Sequence, residues 1–527
     1  MVYRIRLLIS GLVLVTTLFG GFRATKAQSR APYLYYYSQS RSAFIVERAD
    51  GSDSRVLAPF VLPDGYSITG PGWSPSGRWF AWTLISNGGM AIGPEVIGGI
   101  VSRDGKHLVD LSGGIESMAW SPSGDLLLIK KDIFNEYSNL EYDSVEYDIF
   151  NPESVKVVLP IRLPVVGDVN GSFMVWTPNG RYAAFYYELP IDGQYIMELF
   201  APSGIPIATR LYRADHTCFG AHGVFWSGKD TAAYLSSDGK TLYTENFIDG
   251  STEQLPAPSV TILSVDWSPN GEYALIYTEN SCLDSSDRVA LWLLSLPEHR
   301  LLKLSDNVNW LYPWDDIRLY TSSTWSRNGN FALFLTQDLQ LNLVTAVPFS
   351  LEKIAGLPPN GSTNYEPLLR WSASGDQVSF AWTQQDQNST SGLIHSWVYS
   401  YQPRTRQLST LIPMIDAEIS YFAFSSDGRY RTYSDNARIT ILDMNSGKNV
   451  QITTLKISLP DVDPASLLPK QVLWHPQQDW LLVMGYLQSP WYAVNVINAD
   501  GTVQRDLGVC ILVPSCFGWL PDEALTF

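Results

Sequence analysis

The side chains best suited to hold a ligand are aromatic rings standing next to carboxylates. Trp310, Tyr312 and Trp314 directly precede Asp315 and Asp316, and the pair Trp491 and Tyr492 follows Pro490. Flat rings beside acids suit a sugar ring, a peptide or the anchor residue of a protein partner. Packing is the competing reading, because a chain with 18 Trp, 28 Tyr and 21 Phe uses aromatics as core filler. Metal chemistry has less to stand on. Asp215, His216, Cys218 and His222 share one stretch, but their spacing matches no zinc signature. The acids Asp132, Glu136, Glu141, Asp143, Glu146 and Asp148 lack the spacing and the glycine of an EF-hand and read as a solvated acidic loop. His475 replaces the serine of a recurring turn, while His107, His299 and His395 are isolated. No catalytic residue, metal site or cofactor is therefore expected.

A repeat must position these residues. Trp73-Ser-Pro-Ser-Gly77, Trp120-Ser-Pro-Ser-Gly124, Trp176-Thr-Pro-Asn-Gly180 and Trp267-Ser-Pro-Asn-Gly271 each precede an apolar run. Weaker copies begin at Trp226, Trp325, Trp371, Phe424, Trp474 and Trp519. The ten copies recur about every 50 residues, the module length of propeller-type repeats. Proline sets the second position of a tight turn and glycine accepts positive φ at the fourth, so each motif predicts a hairpin. A second strand pair follows, running into a glycine turn as in Ala43–Gly51, Ile439–Gly447 and Tyr492–Gly501. Four antiparallel strands per module make one blade of an all-β propeller. Tryptophan repeated at one register fills the gap between blades, so the motif aromatics are expected to be structural. One large ring of about ten modules is the preferred arrangement, with two rings as the alternative.

The motif followed by an apolar strand, then a strand into Asp-Gly, resembles the WD40-like repeat of TolB-type β-propellers. It is also similar to the propeller domains of dipeptidyl-peptidase-type serine hydrolases. The resemblance spans residues 33–527 and implies the fold; such turns occur in proteins of unrelated function. A TolB protein would add a small α/β domain ahead of six blades, and a hydrolase would add a catalytic domain. The repeats leave space for neither, and no Gly-x-Ser-x-Gly nucleophile elbow occurs. The unmatched strands at residues 34–57 and 517–527 are expected to complete one blade together, removing free sheet edges.

The ends and the charge bound the setting. Arg4 and Arg6, an uncharged run over residues 7–21 and Thr25-Lys26-Ala27 have the order of a Sec-type signal peptide over residues 1–27. An uncleaved anchor is the alternative, although the apolar run is shorter than a membrane span requires. Cleavage would remove Arg4, Arg6, Arg23 and Lys26 and no acid, moving the formal charge from −16 to −20. Such a surface disfavours nucleic acid and anionic lipid. An exported chain with no later membrane span, and a monomeric state, are expected. Its even number of cysteines favours two disulfides, Cys218–Cys282 and Cys510–Cys516, against four buried thiols.

In a four-stranded blade, the first-to-second and third-to-fourth turns share one face. The other face carries the long connections, expected at residues 87–95, 130–143, 306–323, 384–395 and 457–470. Binding residues concentrate on such loops. The expected function is therefore a non-enzymatic exported scaffold that binds a protein or polysaccharide through that face. The alternative is a carbohydrate-active hydrolase or lyase with a site on the propeller face.

Overall fold

The computed structural model describes residues 31–520 apart from 87–97, 112–113, 135–141, 165–172, 190–193, 214–222, 259–260, 280–288, 309–324, 339, 355–368, 373, 386–393, 416–420, 426, 435–437, 457–467, 489–490 and 512–515. The protein is all-β, and its described strands form ten consecutive antiparallel modules. Blades 2 to 10 occupy residues 66–111, 115–164, 173–213, 224–256, 261–308, 325–353, 369–415, 421–452 and 468–511. In blade 7 the three-stranded sheet gains its inner position from Trp325, bridged to Ala332. Blades 4 and 5 are joined by one pairing, Arg213 to Leu235. Blade 1 takes Tyr33–Ser38, Ala43–Arg48 and Arg55–Pro59 from one end of the chain and Phe517–Trp519 from the other. Leu34 lies opposite Trp519, and Tyr36 opposite Phe517.

Each motif works as a latch at the inner end of its hairpin. In blade 6 the Gly271 amide returns to the Ser268 carbonyl at 2.8 Å, and Gly271 takes φ +66°. The buried Ser268 hydroxyl then accepts the Tyr273 amide at 3.0 Å. Ser326, Ser372 and Ser425 do the same for Phe331, Gln377 and Tyr430. His475 substitutes with its ring, whose Nδ1 accepts the amides of Gln477 and Gln478.

Tryptophan links one blade to the next. The Nε1 of Trp120 donates to the carbonyl of Gly72 at 2.9 Å, and that of Trp176 to Ala119 at 3.0 Å. Trp267, Trp325 and Trp519 donate likewise to Phe225, Asp266 and Leu473. Each acceptor directly precedes the motif aromatic of the preceding blade. The indole thus packs between two sheets and satisfies a polar atom on the neighbour.

The core is divided into ten apolar joints, one between each pair of neighbouring blades. Nine run in order from blades 1/2 to blades 9/10. The tenth packs Leu482, Val494 and Val496 of blade 10 against Leu34 and Phe517 of blade 1. The joints return to their origin, so the blades form one closed ring and separate rings are excluded. Propellers commonly have about four to eight blades, which makes this ring large.

The strands run further than the expected loop boundaries. Residues 130–134, 142–143, 306–308, 384–385, 394–395 and 468–470 all continue ladders. The acidic stretch is accordingly not one solvated loop. Glu146 and Asp148 lie within Tyr142–Asn151, where Lys131 on the adjacent strand pairs with both. Among the described residues, no helix is long and apolar enough to cross a membrane.

Candidate functional site

Most of the residues expected to bind fall outside the described set. Trp310, Tyr312, Trp314, Asp315 and Asp316 lie in 309–324, between blade 6 and Trp325. His216, Cys218 and His222 lie in 214–222, and Cys282 in 280–288. Trp491 and Tyr492 open the strand Trp491–Asn498 of blade 10. Trp491 stands opposite Gln488 and Ile511, and half-buried Tyr492 opposite Tyr486 and Cys510. Both are therefore members of a ladder. Cys516 is buried just before the closing strand and is disulfide-bonded. The described connections divide by face. First-to-second turns are short, as from Trp73 to Trp79, whereas second-to-third connections such as Ser86 to Gly98 and the link from Val308 to Trp325 are long.

Buried charges serve the joints. Glu47 of blade 1 is almost wholly buried and pairs with Arg505 of blade 10. Arg505 Nη1 also donates to the carbonyls of Arg48 and Ala49, at 3.2 and 3.0 Å. Burial, reinforced by the Glu47 carboxylate, pushes the adjacent Tyr36 hydroxyl up to about 12. Glu245 of blade 5 pairs with Arg210 of blade 4 and accepts the Tyr234 hydroxyl at 2.8 Å. Within blade 3, burial raises the Asp148 carboxyl despite its bond to Lys131. These groups are fixed by opposite charges and hold sheets together.

One carboxyl is shifted to near neutrality. Asp266 lies on the innermost strand of blade 6, Thr261–Trp267, directly before the motif tryptophan. Burial pushes its carboxyl up to about 7, and burial, reinforced by Asp266, raises the Tyr277 hydroxyl on the next strand. A carboxyl that titrates near neutrality can both give and take a proton. The sequence signal was available: Asp266 is the one acid at this position, where the other copies place Gly72, Ala119, Val175, Phe225, Thr324, Arg370, Ala423, Leu473 and Gly518. Among the described residues, no group of three or more His, Cys, Asp or Glu could hold a metal ion.

No family model matches the chain, and no curated protein matches it either. The chain is similar to several solved structures at low identity. A crystal structure of a eukaryotic initiation factor is 13% identical, covering 94% of this chain and 100% of that one, with a TM-score of 0.49. An oligogalacturonate lyase in complex with manganese is 13% identical over 70% of this chain and 98% of its own, with a TM-score of 0.31. A structure described as TolB from Agrobacterium tumefaciens is 12% identical over 50% and 85%, with a TM-score of 0.26.

Proposed function

We propose that the protein is a non-catalytic exported scaffold whose ring binds a protein or polysaccharide on the face carrying the long connections. The observation that supports this reading is the division of labour between the faces. Short latched turns and ten apolar joints fix the ring, while at the other ends of the hairpins long stretches of sequence separate the described strands, as between Ser86 and Gly98 and between Val308 and Trp325. Rigid scaffolds with variable loops bind through those loops. Trp310 and Trp314, beside Asp315 and Asp316, are the proposed anchors. Export agrees with the signal-like segment 1–27 and with the disulfide-bonded state of Cys516; the pairings Cys510–Cys516 and Cys218–Cys282 are part of the proposal. Binding of the chain to a glycan array and to purified envelope components tests the reading. Trp310→Ala with Trp314→Ala is expected to lower affinity at least tenfold at an unchanged melting temperature. A large drop in melting temperature instead makes these residues core filler and removes them as anchors.

A second reading, a carbohydrate hydrolase or lyase, is favoured by Asp266 alone. Its carboxyl, shifted to about 7 beside Tyr277, has the character of a general acid or base. Turnover of an array-bound glycan that disappears in Asp266→Asn would support this reading over the first.

A further inference from the structure

We propose that the joint between blades 8 and 9 is a binding site for a small oxyanion (a carboxylate, sulfate or phosphate group), with Arg431 as its anchor. The argument starts from register. The residue opposite the motif aromatic packs into the joint with the preceding blade, and it is apolar and fully buried in blade after blade. Phe80, Leu127, Ala183, Ala274, Val378 and Leu481 all occupy this position with 0% exposure. In blade 9 the residue opposite Phe424 is Arg431.

The facing side of the joint has changed in step. One position further along, blades present a cross-strand pair to the following blade, and it is aliphatic in several of them: Leu128 with Ile149, Leu275 with Leu293, Leu482 with Val496; blades 5 and 9 carry one threonine in the pair, Thr244 and Thr432. Blade 8 presents Ser379 paired with Ser400, both buried. Alternation along the strands puts these serines on the face of Ala381 and Val398, which pack against Phe422, Phe424 and Tyr433 of blade 9. Arg431, two residues before Tyr433, projects toward the same joint. A polar layer thus replaces an apolar one on both sides. The buried apolar part of this joint shrinks to Ala381, Val398, Ile412 and Phe422.

Among the described residues no acid pairs with Arg431, in contrast to Arg505 and Arg210 in their joints. Its Nε and Nη1 are buried with no hydrogen-bond partner, and its guanidinium stands 5.9 Å from the Phe424 ring. Burial lowers its pKa, with no acid acting against the shift. An uncompensated buried cation is costly, and a buried unsatisfied group in a native fold calls for a partner. A planar fork set in a joint whose facing layer carries two serines, one of them already accepting from Gln377, suits an oxyanion. The residue keeps partial exposure, so solutes can reach it.

The test is thermal unfolding of the full chain at constant ionic strength, replacing chloride with acetate, glucuronate, sulfate or inorganic phosphate, with binding of the same anions measured by calorimetry. At least one anion is expected to bind saturably and raise the melting temperature. The responding anion identifies the source: a carboxylate points to an acidic sugar or peptide end, sulfate or phosphate to an esterified ligand. Arg431→Met should melt at or above the wild type in chloride and show no saturable response. Arg431→Lys and Ser379→Ala with Ser400→Ala, which leave the ring closed, should each weaken binding about tenfold. An equal response in wild type and Arg431→Met would reduce the effect to general salting-out and overturn the site. Absence of binding by every anion to the wild type would overturn it equally.

Discussion

At the residue scale, the motif tryptophans and Asp266 show opposite uses of burial. Trp325 is 1% exposed, and its one polar atom donates to the Asp266 carbonyl. The ring therefore contributes area without leaving an unpaired donor. Asp266 is a group whose folded pKa is raised, from the usual carboxylate range to about 7. Between about pH 4 and pH 7 the folded chain holds a proton that the unfolded chain has released, so stability falls as pH rises through that window. Asp266→Asn should abolish this slope, making the variant the more stable form at pH 8 while the two converge near pH 4. Urea titrations at several pH values measure it, and a pH-independent difference would disprove the buried-acid account. The structural role of the tryptophans was legible because one residue type recurs at one register. The Asp266 shift was not, because desolvation depends on the neighbouring blade and leaves no spacing in the chain.

At the element scale, the hairpin latch combines three parts, of which sequence displays two. Proline and glycine announce the turn through backbone preference. The serine's part emerges only once its hydroxyl is buried beside the amide that begins the next strand, as Ser268 does for Tyr273. His475 instead caps the turn itself, its ring nitrogen accepting the amides of Gln477 and Gln478, which the motif alone presents as a departure. Gly271→Ala would place a Cβ 3.3 Å from the Lys229 side chain at φ +66°. The backbone strain should cost about 1 kcal/mol, while Ser268→Ala, which orphans a buried amide, should cost about 1–3 kcal/mol. Denaturant midpoints of the two variants check the ordering; a costlier glycine change would mean that the turn, not the hydroxyl, holds the hairpin. Strand length was under-read at residues 130–134 and 394–395, because charged and polar residues there pair in ladders as readily as apolar ones.

At the scale of the whole molecule, closure depends on a three-residue strand. Phe517–Trp519 supplies the inner edge of blade 1, Phe517 packs into the tenth joint, and Trp519 donates to Leu473 in blade 10. Arg505 and Glu47 clamp the same joint. Removing residues 509–527 exposes strand edges on both sides of the gap and should lower the melting temperature of the entire protein in one transition. A truncated chain that melts like the intact one would show the ten joints to be energetically independent. The number of modules was countable from the motif period; the single ring was not, since only the packing of blade 10 on blade 1 distinguishes one circle from two. That packing gives the molecule a property of hoops. Residues 34 and 519 are cross-strand neighbours, so the order of blades along the chain is a matter of where the hoop is cut. A circular permutant with its old ends linked and new ends opened at the exposed turn 444–447 would keep every joint, and both faces of the ring would be unchanged.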